Sequence, residues 1–358
     1  MTVLLTITIL ILTGIAVWQI TKIFELSQIG LKKDDSQIAT EKDNDLNGKL
    51  MFAFLVFIYL VTIYCFWAYT KVLLPESASE HGAIYDTLLW VSFAIILFAQ
   101  TITQAVLHYF AYKYRGINNR KAYFFTHDNK LELIWTVIPA IIFFVLIIYG
   151  MITWGQIMNF GEEDEDDLGV ELYAQQWNWK ARYGGLDNVL GDANVRFLND
   201  FDGKNAVGID SSDPNGMDDF VVTQEFHLPV NRKVIFKMRS QDVLHSAYMP
   251  HFRAQMNCVP GMITEFSFTP TITTEEMRQN SDVVAKVNRI NKIRYDKSQK
   301  LISKGEEGLD SYQFDYLLLC AKICGTSHFN MQMKIIVESE KDYKKWAVQQ
   351  QTFSEIIQ

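Results

Sequence analysis

Four long apolar stretches in the first half of the chain constrain its fold more than any other feature. They cover roughly residues 2–23, 50–74, 86–112 and 131–157. A bilayer core of about 30 Å is crossed by a helix of about 20 apolar residues. Each stretch therefore predicts a transmembrane helix. The first lacks the basic start and the small-residue cleavage site of a signal peptide, so we expect it to be retained as an anchor.

The charges of the loops between these spans predict their orientation. The loop after the third span carries Arg115, Arg120 and Lys121, whereas the loop after the second carries Glu76 and Glu80. Basic loops face the cytoplasm. We therefore expect a multi-pass protein of the bacterial cytoplasmic membrane, with both termini and everything after the fourth span on the external or periplasmic side.

The composition changes from apolar to polar after the fourth span, which predicts separate membrane and soluble parts. We expect two extra N-terminal spans in 1–75, a transmembrane hairpin in 76–158, a soluble domain in 159–350 and a C-terminal tail in 351–358. Residues 271–311 are charged and helix-prone, and T-T-E-E-M at their start predicts a capping box. We interpret this segment as a helical insertion in the soluble domain.

Short runs rich in β-branched and aromatic residues fill the rest of the soluble part. They include V-E-L-Y-A-Q-Q-W-N-W-K-A-R-Y, D-F-V-V-T-Q-E-F-H-L, K-V-I-F-K-M, M-I-T-E-F-S-F and M-K-I-I-V. Such runs, separated by Gly, Pro and Asn, predict β-strands. The pattern favours a small Greek-key sandwich or barrel.

The overall charge restricts the kind of partner. The chain has a formal net charge of −8, and binding to a nucleic acid needs an excess of Lys and Arg. A basic protein partner fits better. The acidic run 162–167 is interpreted either as a solvated linker or as part of a docking surface for such a partner.

A cluster of metal-ligand residue types lies near the C-terminal end. The segment from Cys320 to Met331 has the form C-x3-C-x3-H-x2-M, which brings thiolates, an imidazole and a thioether to one loop. These soft ligands suit copper. A second imidazole, His245 in D-V-L-H, lies between two predicted strands. Two other cysteines, Cys65 and Cys258, are interpreted as small packed residues.

The ligand types separate three kinds of metal site. Zinc is satisfied by two Cys and two His and rarely uses a thioether such as Met331. A mononuclear blue-copper site uses one Cys, two His and a weak Met. The second cysteine favours a dinuclear copper site, in which two thiolates bridge two ions. The remaining histidines have no ligand context in the sequence, and we expect polar or surface roles for His81, His108, His127, His227 and His251.

At these motifs the sequence closely resembles subunit II of the haem-copper cytochrome c oxidases, whose copper loop reads C-x-E-x-C-G-x-x-H-x-x-M. Three other signatures occur in the order of that family: H-x-N-x-L-E-L-I-W-T-V-I-P-A, Q-W-N-W, and D-V-L-H-S followed by V-P-G. The resemblance covers roughly residues 86–268 and 312–350. It implies an α+β membrane protein in which transmembrane helices precede a cupredoxin-like Greek-key β-barrel.

The resemblance also implies particular residue roles. Trp177 would be the surface aromatic that receives the electron, and Glu132 would lie near the entrance of a proton path. From their positions alone, Trp177 and Trp179 could share one strand face as core or membrane-surface aromatics, and Glu132 could simply be an acid that caps the first turn of a span. The implied copper ligands are the bridging thiolates of Cys320 and Cys324, the imidazoles of His245 and His328, and the axial Met331 thioether and Lys322 backbone carbonyl.

The sequence departs from that family at four positions. Lys322 replaces a glutamate whose side chain binds magnesium, so no magnesium ligand is expected from this position. The others, Ala247, Gln241 and Asn178, replace a tryptophan, an acid and a tyrosine, so docking of the partner is expected to differ.

The implied function is electron transfer from a c-type cytochrome, through a dinuclear copper centre, to haem in subunit I. Oxygen reduction and proton pumping would then take place in that partner. The chain has no C-x-x-C-H motif, so no covalently attached haem is expected. Two alternatives are a membrane-tethered copper chaperone, against which Met331 and the four spans argue, and a copper-free quinol-oxidase subunit II, against which the retained ligands argue.

Overall fold

Four long helices form the N-terminal part of the computed structural model, which describes residues 2–29, 40–117, 120–121, 123–159, 164 and 166–358. The helices are α1 (Thr2–Ile29), α2 (Glu41–Leu73), α3 (Gly82–Lys113) and α4 (Asn129–Met158). Each contains a segment long and apolar enough to cross a membrane. The prediction of four spans is confirmed.

The second helix begins well before its apolar stretch. Its start at Glu41 is fixed by a reciprocal pair of hydrogen bonds one turn apart. The backbone N–H of Asp43 donates to Oγ1 of Thr40 at 3.3 Å, and the N–H of Thr40 donates to the Asp43 carboxylate at 3.1 Å. Such a box satisfies N–H groups that lack a partner within the helix, so the helix extends through a polar first turn.

The chain forms two compact units. One consists of Met1–Tyr69 and Ala94–Trp135, and the other of Thr70–Phe93 and Thr136–Gln358. The second unit contains the whole soluble part.

Ten strands form a sandwich of two five-stranded sheets in the described soluble part. The first sheet has the order β3-β2-β1-β5-β8 and the second has the order β4-β10-β9-β6-β7. The strands are β1 (Leu168–Gln175), β2 (Asn178–Tyr183), β3 (Phe220–Val222), β4 (Glu225–Pro229), β5 (Val234–Ser240), β6 (His245–Met249), β7 (Ala254–Cys258), β8 (Thr264–Phe268), β9 (Tyr316–Cys320) and β10 (Gln332–Glu338). The expected β-sandwich after the helices is confirmed.

Alternation along the strands places the core between the two sheets. In β10, Met333, Ile335 and Val337 are buried, whereas Gln332 and Lys334 are exposed. Side chains two residues apart point to the same face of a strand, so this pattern turns one face of β10 toward the interior.

Two of the predicted strands are wrong in extent. The run V-E-L-Y-A-Q-Q-W-N-W-K-A-R-Y is not one strand, because a turn at Gln176 and Trp177 divides it into antiparallel β1 and β2. The run D-F-V-V-T-Q-E-F-H-L is also divided, and its halves β3 and β4 belong to different sheets. Trp177 therefore lies in a turn and not on a strand face shared with Trp179.

The insertion between β8 and β9 is helical, as predicted. It contains α5 (Thr274–Gln279) and α6 (Ser281–Ile302). The predicted capping box is confirmed, with Thr273 as the cap and Glu276 as its partner.

Two short helices end the chain, α7 (Glu340–Ala347) and α8 (Phe353–Ile357). In α8, Phe353 is buried in a cluster with Tyr173 of β1.

Candidate metal centre

Three chain segments meet at one end of the sandwich and form the candidate metal centre. They are the β1–β2 turn, the β5–β6 loop that ends at His245, and the β9–β10 loop that begins after Cys320. Strands β6 and β9 are antiparallel neighbours, with Ala247 opposite Cys320. This pairing brings a histidine and a cysteine 75 positions apart in the sequence to the same edge.

The four strong candidate ligands form a chain of short contacts. The Sγ atoms of Cys320 and Cys324 are 3.8 Å apart. Nδ1 of His245 lies 3.8 Å from Sγ of Cys320, and Nδ1 of His328 lies 3.7 Å from Sγ of Cys324. A disulfide would need a sulfur–sulfur distance near 2.05 Å. The two thiols are therefore free, and each has one imidazole beside it.

Two weaker donors complete the arrangement, one for each cysteine. Sδ of Met331 lies 3.8 Å from Sγ of Cys324, and the carbonyl oxygen of Lys322 lies 3.2 Å from Sγ of Cys320. Met331 is buried, and it follows the short 3-10 turn His328–Asn330, which holds it next to the imidazole ligand.

This donor set fits two copper ions better than one zinc ion. Six donors sort into two matching groups, each with one imidazole and one weak ligand, around a shared pair of sulfurs. Thiolate and thioether ligands select copper. Burial raises the pKa of the Cys324 thiol to about 11, and the neighbouring Cys320 adds to this effect. The thiolate form of Cys324 therefore requires a cation beside it, and binding of a metal there would release its proton.

Asp242 lies behind the candidate ligand His245 and holds its ring, a role that was not predicted from the sequence. Its Oδ1 lies 2.8 Å from Nε2 of His245, and its Oδ2 accepts a hydrogen bond from the Gln176 N–H at 2.7 Å. Partial burial acts to raise the pKa of Asp242, but the hydrogen bonds from His245, Gln176 and Val243 outweigh it and lower the pKa. An acid three residues before a candidate histidine ligand is the sequence signal that could have indicated this role.

Trp177 lies against the cysteine loop. The side-chain amide of Gln176 donates to the carbonyl oxygen of Cys324 at 2.7 Å, which joins the β1–β2 turn to this loop. A Cβ atom on Gly325 would lie 2.9 Å from the indole Nε1 of Trp177, so the ring and the loop are in direct contact. Trp177 is 39% exposed, whereas Trp179 is 1% exposed and belongs to the core.

Glu132 lies in the first turn of α4 but does not cap the helix. The Asp128 carboxylate accepts hydrogen bonds from the N–H groups of Lys130 and Leu131, so Asp128 caps the helix. The Glu132 carboxylate instead lies 3.7 Å from Nδ1 of His127, and its side chain is 44% exposed.

Of the other histidines, His251 lies nearest to His245 in sequence but not among the ligands. Its Nδ1 contacts the carbonyl oxygen of Glu76 at 2.8 Å, and its ring packs edge-on against Phe314 and Tyr316.

Residues 162, 163 and 165 of the acidic run after the fourth span lie outside the described residues, and Asp167, at its end, lies away from the centre. Asp167 directly precedes β1, and its carboxylate pairs with Lys233 at 2.6 Å. The candidate centre lies beyond Gln175 at the other end of β1. A strand of 8 residues spans roughly 25 Å at about 3.3 Å per residue.

The fold and the site together define a class of membrane-anchored, cupredoxin-like proteins with a soft-ligand metal centre at one end of the sandwich. The sequence profile of the cytochrome c oxidase subunit II transmembrane domain matches residues 71–152, and that of its periplasmic domain matches residues 168–289. The chain belongs to the cytochrome c oxidase subunit II family.

Two relatives found by sequence agree with this assignment. The chain is 30% identical over 289 residues to an alternative cytochrome c oxidase subunit 2 of Bradyrhizobium diazoefficiens, an alignment that covers 80% of this chain and 86% of the relative. It is 24% identical to a cytochrome c oxidase subunit 2 of Cereibacter sphaeroides, covering 71% and 72% of the two chains. A solved periplasmic domain of the subunit II from Bradyrhizobium japonicum is 15% identical, with a TM-score of 0.31, and the match covers 52% of this chain and 95% of that one.

Two parts of the chain lie outside the residues that the two family profiles match. All of α1 and most of α2 precede residue 71, where the match begins. The periplasmic match ends at residue 289, inside α6 of the insertion.

Proposed function

We propose that this chain is the electron-accepting subunit of a terminal cytochrome c oxidase in a bacterial cytoplasmic membrane. It receives electrons from a c-type cytochrome on the periplasmic side and delivers them to haem in subunit I. There, oxygen is reduced to water and protons are pumped. The observation that carries the proposal is the pair of sulfur atoms, Sγ of Cys320 and Cys324, 3.8 Å apart with one imidazole beside each.

In this proposal six groups of the chain hold a pair of copper ions. When bound, the pair supplies a one-electron carrier whose charge is shared between two metals. The groups that would hold the pair are the thiolates of Cys320 and Cys324, the imidazoles of His245 and His328, the Met331 thioether and the carbonyl oxygen of Lys322.

The residues around the ligands would keep this geometry constant during electron transfer. Asp242 holds the His245 ring through Nε2, so that Nδ1 faces the cysteines. Such outer partners fix the orientation of a histidine ligand and raise its basicity. The hydrogen bond from Gln176 holds the carbonyl of Cys324 in the same way.

Two further roles are proposed for residues outside the ligand set. Trp177 receives the electron, because its indole is partly exposed and touches the cysteine loop at Gly325. Glu132 lies near the entrance of a proton path, because it is a partly exposed acid at a membrane boundary and is not needed to cap α4. The Lys322 side chain offers a cation where a carboxylate would bind magnesium, so no magnesium ligand is proposed at that position.

Copper quantification with visible and EPR spectroscopy of the full chain in detergent tests the function. We expect two copper ions per chain and a purple, mixed-valence centre with seven-line hyperfine structure. The Cys320→Ser variant should lose this signal, whereas Cys65→Ser, which changes an exposed thiol in α2, should retain it. A four-line blue-copper spectrum, a single bound zinc ion or no bound metal would contradict the proposal.

A further inference from the structure

The loops that hold the candidate centre carry almost no net charge, although the whole chain is acidic. Asp242 and Lys322 are the only Asp, Glu, Lys or Arg residues in the segments 175–178, 241–244, 259–263 and 321–331. The formal charges of these segments cancel, whereas that of the chain is −8. The acidity of the chain is therefore located elsewhere.

The one acid among these segments is already engaged. The Asp242 carboxylate contacts Nε2 of His245 and accepts hydrogen bonds from the N–H groups of Gln176 and Val243. These contacts turn it toward the centre. It is therefore a poor attachment point for a basic side chain of a partner.

The surface beside the candidate centre exposes apolar side chains. Phe329 is 88% exposed and directly follows the candidate ligand His328. Its backbone is held in a 3-10 turn, in which the Met331 N–H donates to the carbonyl of His328 at 3.2 Å. The exposed ring therefore leaves the backbone between two candidate ligands, His328 and Met331. Exposed apolar groups placed in this way mark a contact surface for another protein.

We propose that the electron donor docks on this surface through apolar contacts centred on Phe329 and Trp177. The proposed partner is a c-type cytochrome whose haem edge is surrounded by apolar side chains, and not by a ring of lysines. The inference rests on the proposed function, since it assigns a docking chemistry to the same centre. It also replaces the expectation of a basic partner, which followed from the total charge of the chain.

Salt dependence distinguishes the two docking chemistries. Electrostatic steering raises association rates by factors of about 10 to 1,000 and is lost as salt screens the charges. Apolar contacts lack this dependence. The experiment uses the purified oxidase complex in detergent and measures oxidation of two reduced probes, a basic mitochondrial cytochrome c and an acidic bacterial cytochrome c, between 20 and 300 mM NaCl. We expect kcat/KM for both probes to change by less than about threefold, and a fall of tenfold or more for the basic probe would overturn the proposal.

Substitutions at Phe329 supply a second, independent test. Phe329→Ser should raise KM for both probes about tenfold, because the apolar contact is lost, while kcat and the copper spectrum stay unchanged. Phe329→Tyr should restore most of the loss. The matched control is Ile293→Ser, which removes a side chain 57% exposed on α6, outside the centre, and should leave KM unchanged.

Phe329→Glu separates the two docking chemistries most sharply. Apolar docking predicts a higher KM for both probes, whereas electrostatic docking predicts a lower KM for the basic probe. A lower KM for that probe, or an unchanged KM in Phe329→Ser, would overturn the inference. The copper spectrum of each variant reports separately on the proposed function.

Discussion

Nε2 of His245 lies 2.8 Å from Oδ1 of Asp242, while Nδ1 of the same ring lies 3.8 Å from Sγ of Cys320. The imidazole thus connects a carboxylate on one side with the sulfur pair on the other. Hydrogen bonding of Nε2 to the carboxylate fixes the tautomer in which Nδ1 is free to bind a metal.

Asp242→Asn should weaken the proposed copper site without removing it. An amide still occupies the position, but the negative charge beside Nε2 of His245 is lost. Loss of such an outer partner reduces metal affinity about 10- to 100-fold. We expect a shifted visible spectrum, faster loss of copper to a chelator and a higher reduction potential, since the oxidised metal loses electron density. Asp187→Asn, a change at an exposed turn, is the control, and equal chelation rates in the two variants would contradict the assigned role of Asp242.

The sequence predicted the candidate ligands but not the residues that support them. Cys320, Cys324, His328 and Met331 lie within one short segment of the sequence, so their spacing alone suggests a shared site. The role of Gln176 depends on the β1–β2 turn reaching the cysteine loop, which is a tertiary contact. No local pattern in the sequence contains that information.

The same reasoning explains which strands were predicted. Long runs with β-branched alternation, such as β5 and β10, were recognised. Strands β6, β7 and β9 were missed, because their sequences H-S-A-Y-M, A-Q-M-N-C and Y-L-L-L-C contain no β-branched residue. The turn at Gln176 was missed for a related reason, since it contains no Gly or Pro and is held by the Asp242 carboxylate from another loop.

Gly325→Ala should disturb the contact between the cysteine loop and Trp177. Gly325 has a φ of +136°, a conformation that an L-residue adopts only with strain. Such strain costs about 1–3 kcal/mol, and the new Cβ would also lie 2.9 Å from the indole Nε1. We expect lower thermal stability and slower electron uptake from cytochrome c in stopped-flow measurements. Gly305→Ala is the control, because Gly305 also has a positive φ, +80°, but open space around it. If both variants take up electrons at the wild-type rate, electron uptake through Trp177 does not depend on its contact with Gly325.

His251 should make the stability of the soluble part depend on pH. Burial lowers the pKa of His251 to about 4; the Glu76 carbonyl acts in the opposite direction, while Lys286 and Arg253 add to the lowering. The unfolded chain has an ordinary histidine pKa near 6.5 and binds a proton first as the pH falls. Stability is therefore complete above about pH 6.5 and lost progressively toward pH 4, by at most about 3 kcal/mol at 1.36 kcal/mol per unit.

His251→Asn tests this pH dependence. The Asn amide can still donate to the carbonyl of Glu76, but it does not titrate. We measure the melting temperature in detergent. The variant should melt at a lower temperature than the wild type at pH 7, and its melting temperature should change less between pH 6.5 and 4.5. His127→Asn, a change at an exposed histidine, should keep the wild-type slope. Parallel stability curves for His251→Asn and the wild type would show that another group causes the acid sensitivity.

Asp86→Asn should loosen the attachment of the sandwich to the start of α3. The Arg253 guanidinium is almost fully buried and donates to the Asp86 carboxylate and to the carbonyl oxygens of Pro75 and Pro250. Removing one partner of a buried ion pair leaves an uncompensated charge, which costs about 3–5 kcal/mol, and less here because Asp86 is partly exposed. At roughly 2–4 °C per kcal/mol, the melting temperature in detergent should fall by several degrees, while the copper spectrum is retained. Glu80→Gln removes the same charge from an exposed position nearby and should melt like the wild type; equal melting of Asp86→Asn would mean that the two carbonyl oxygens alone are sufficient to hold Arg253.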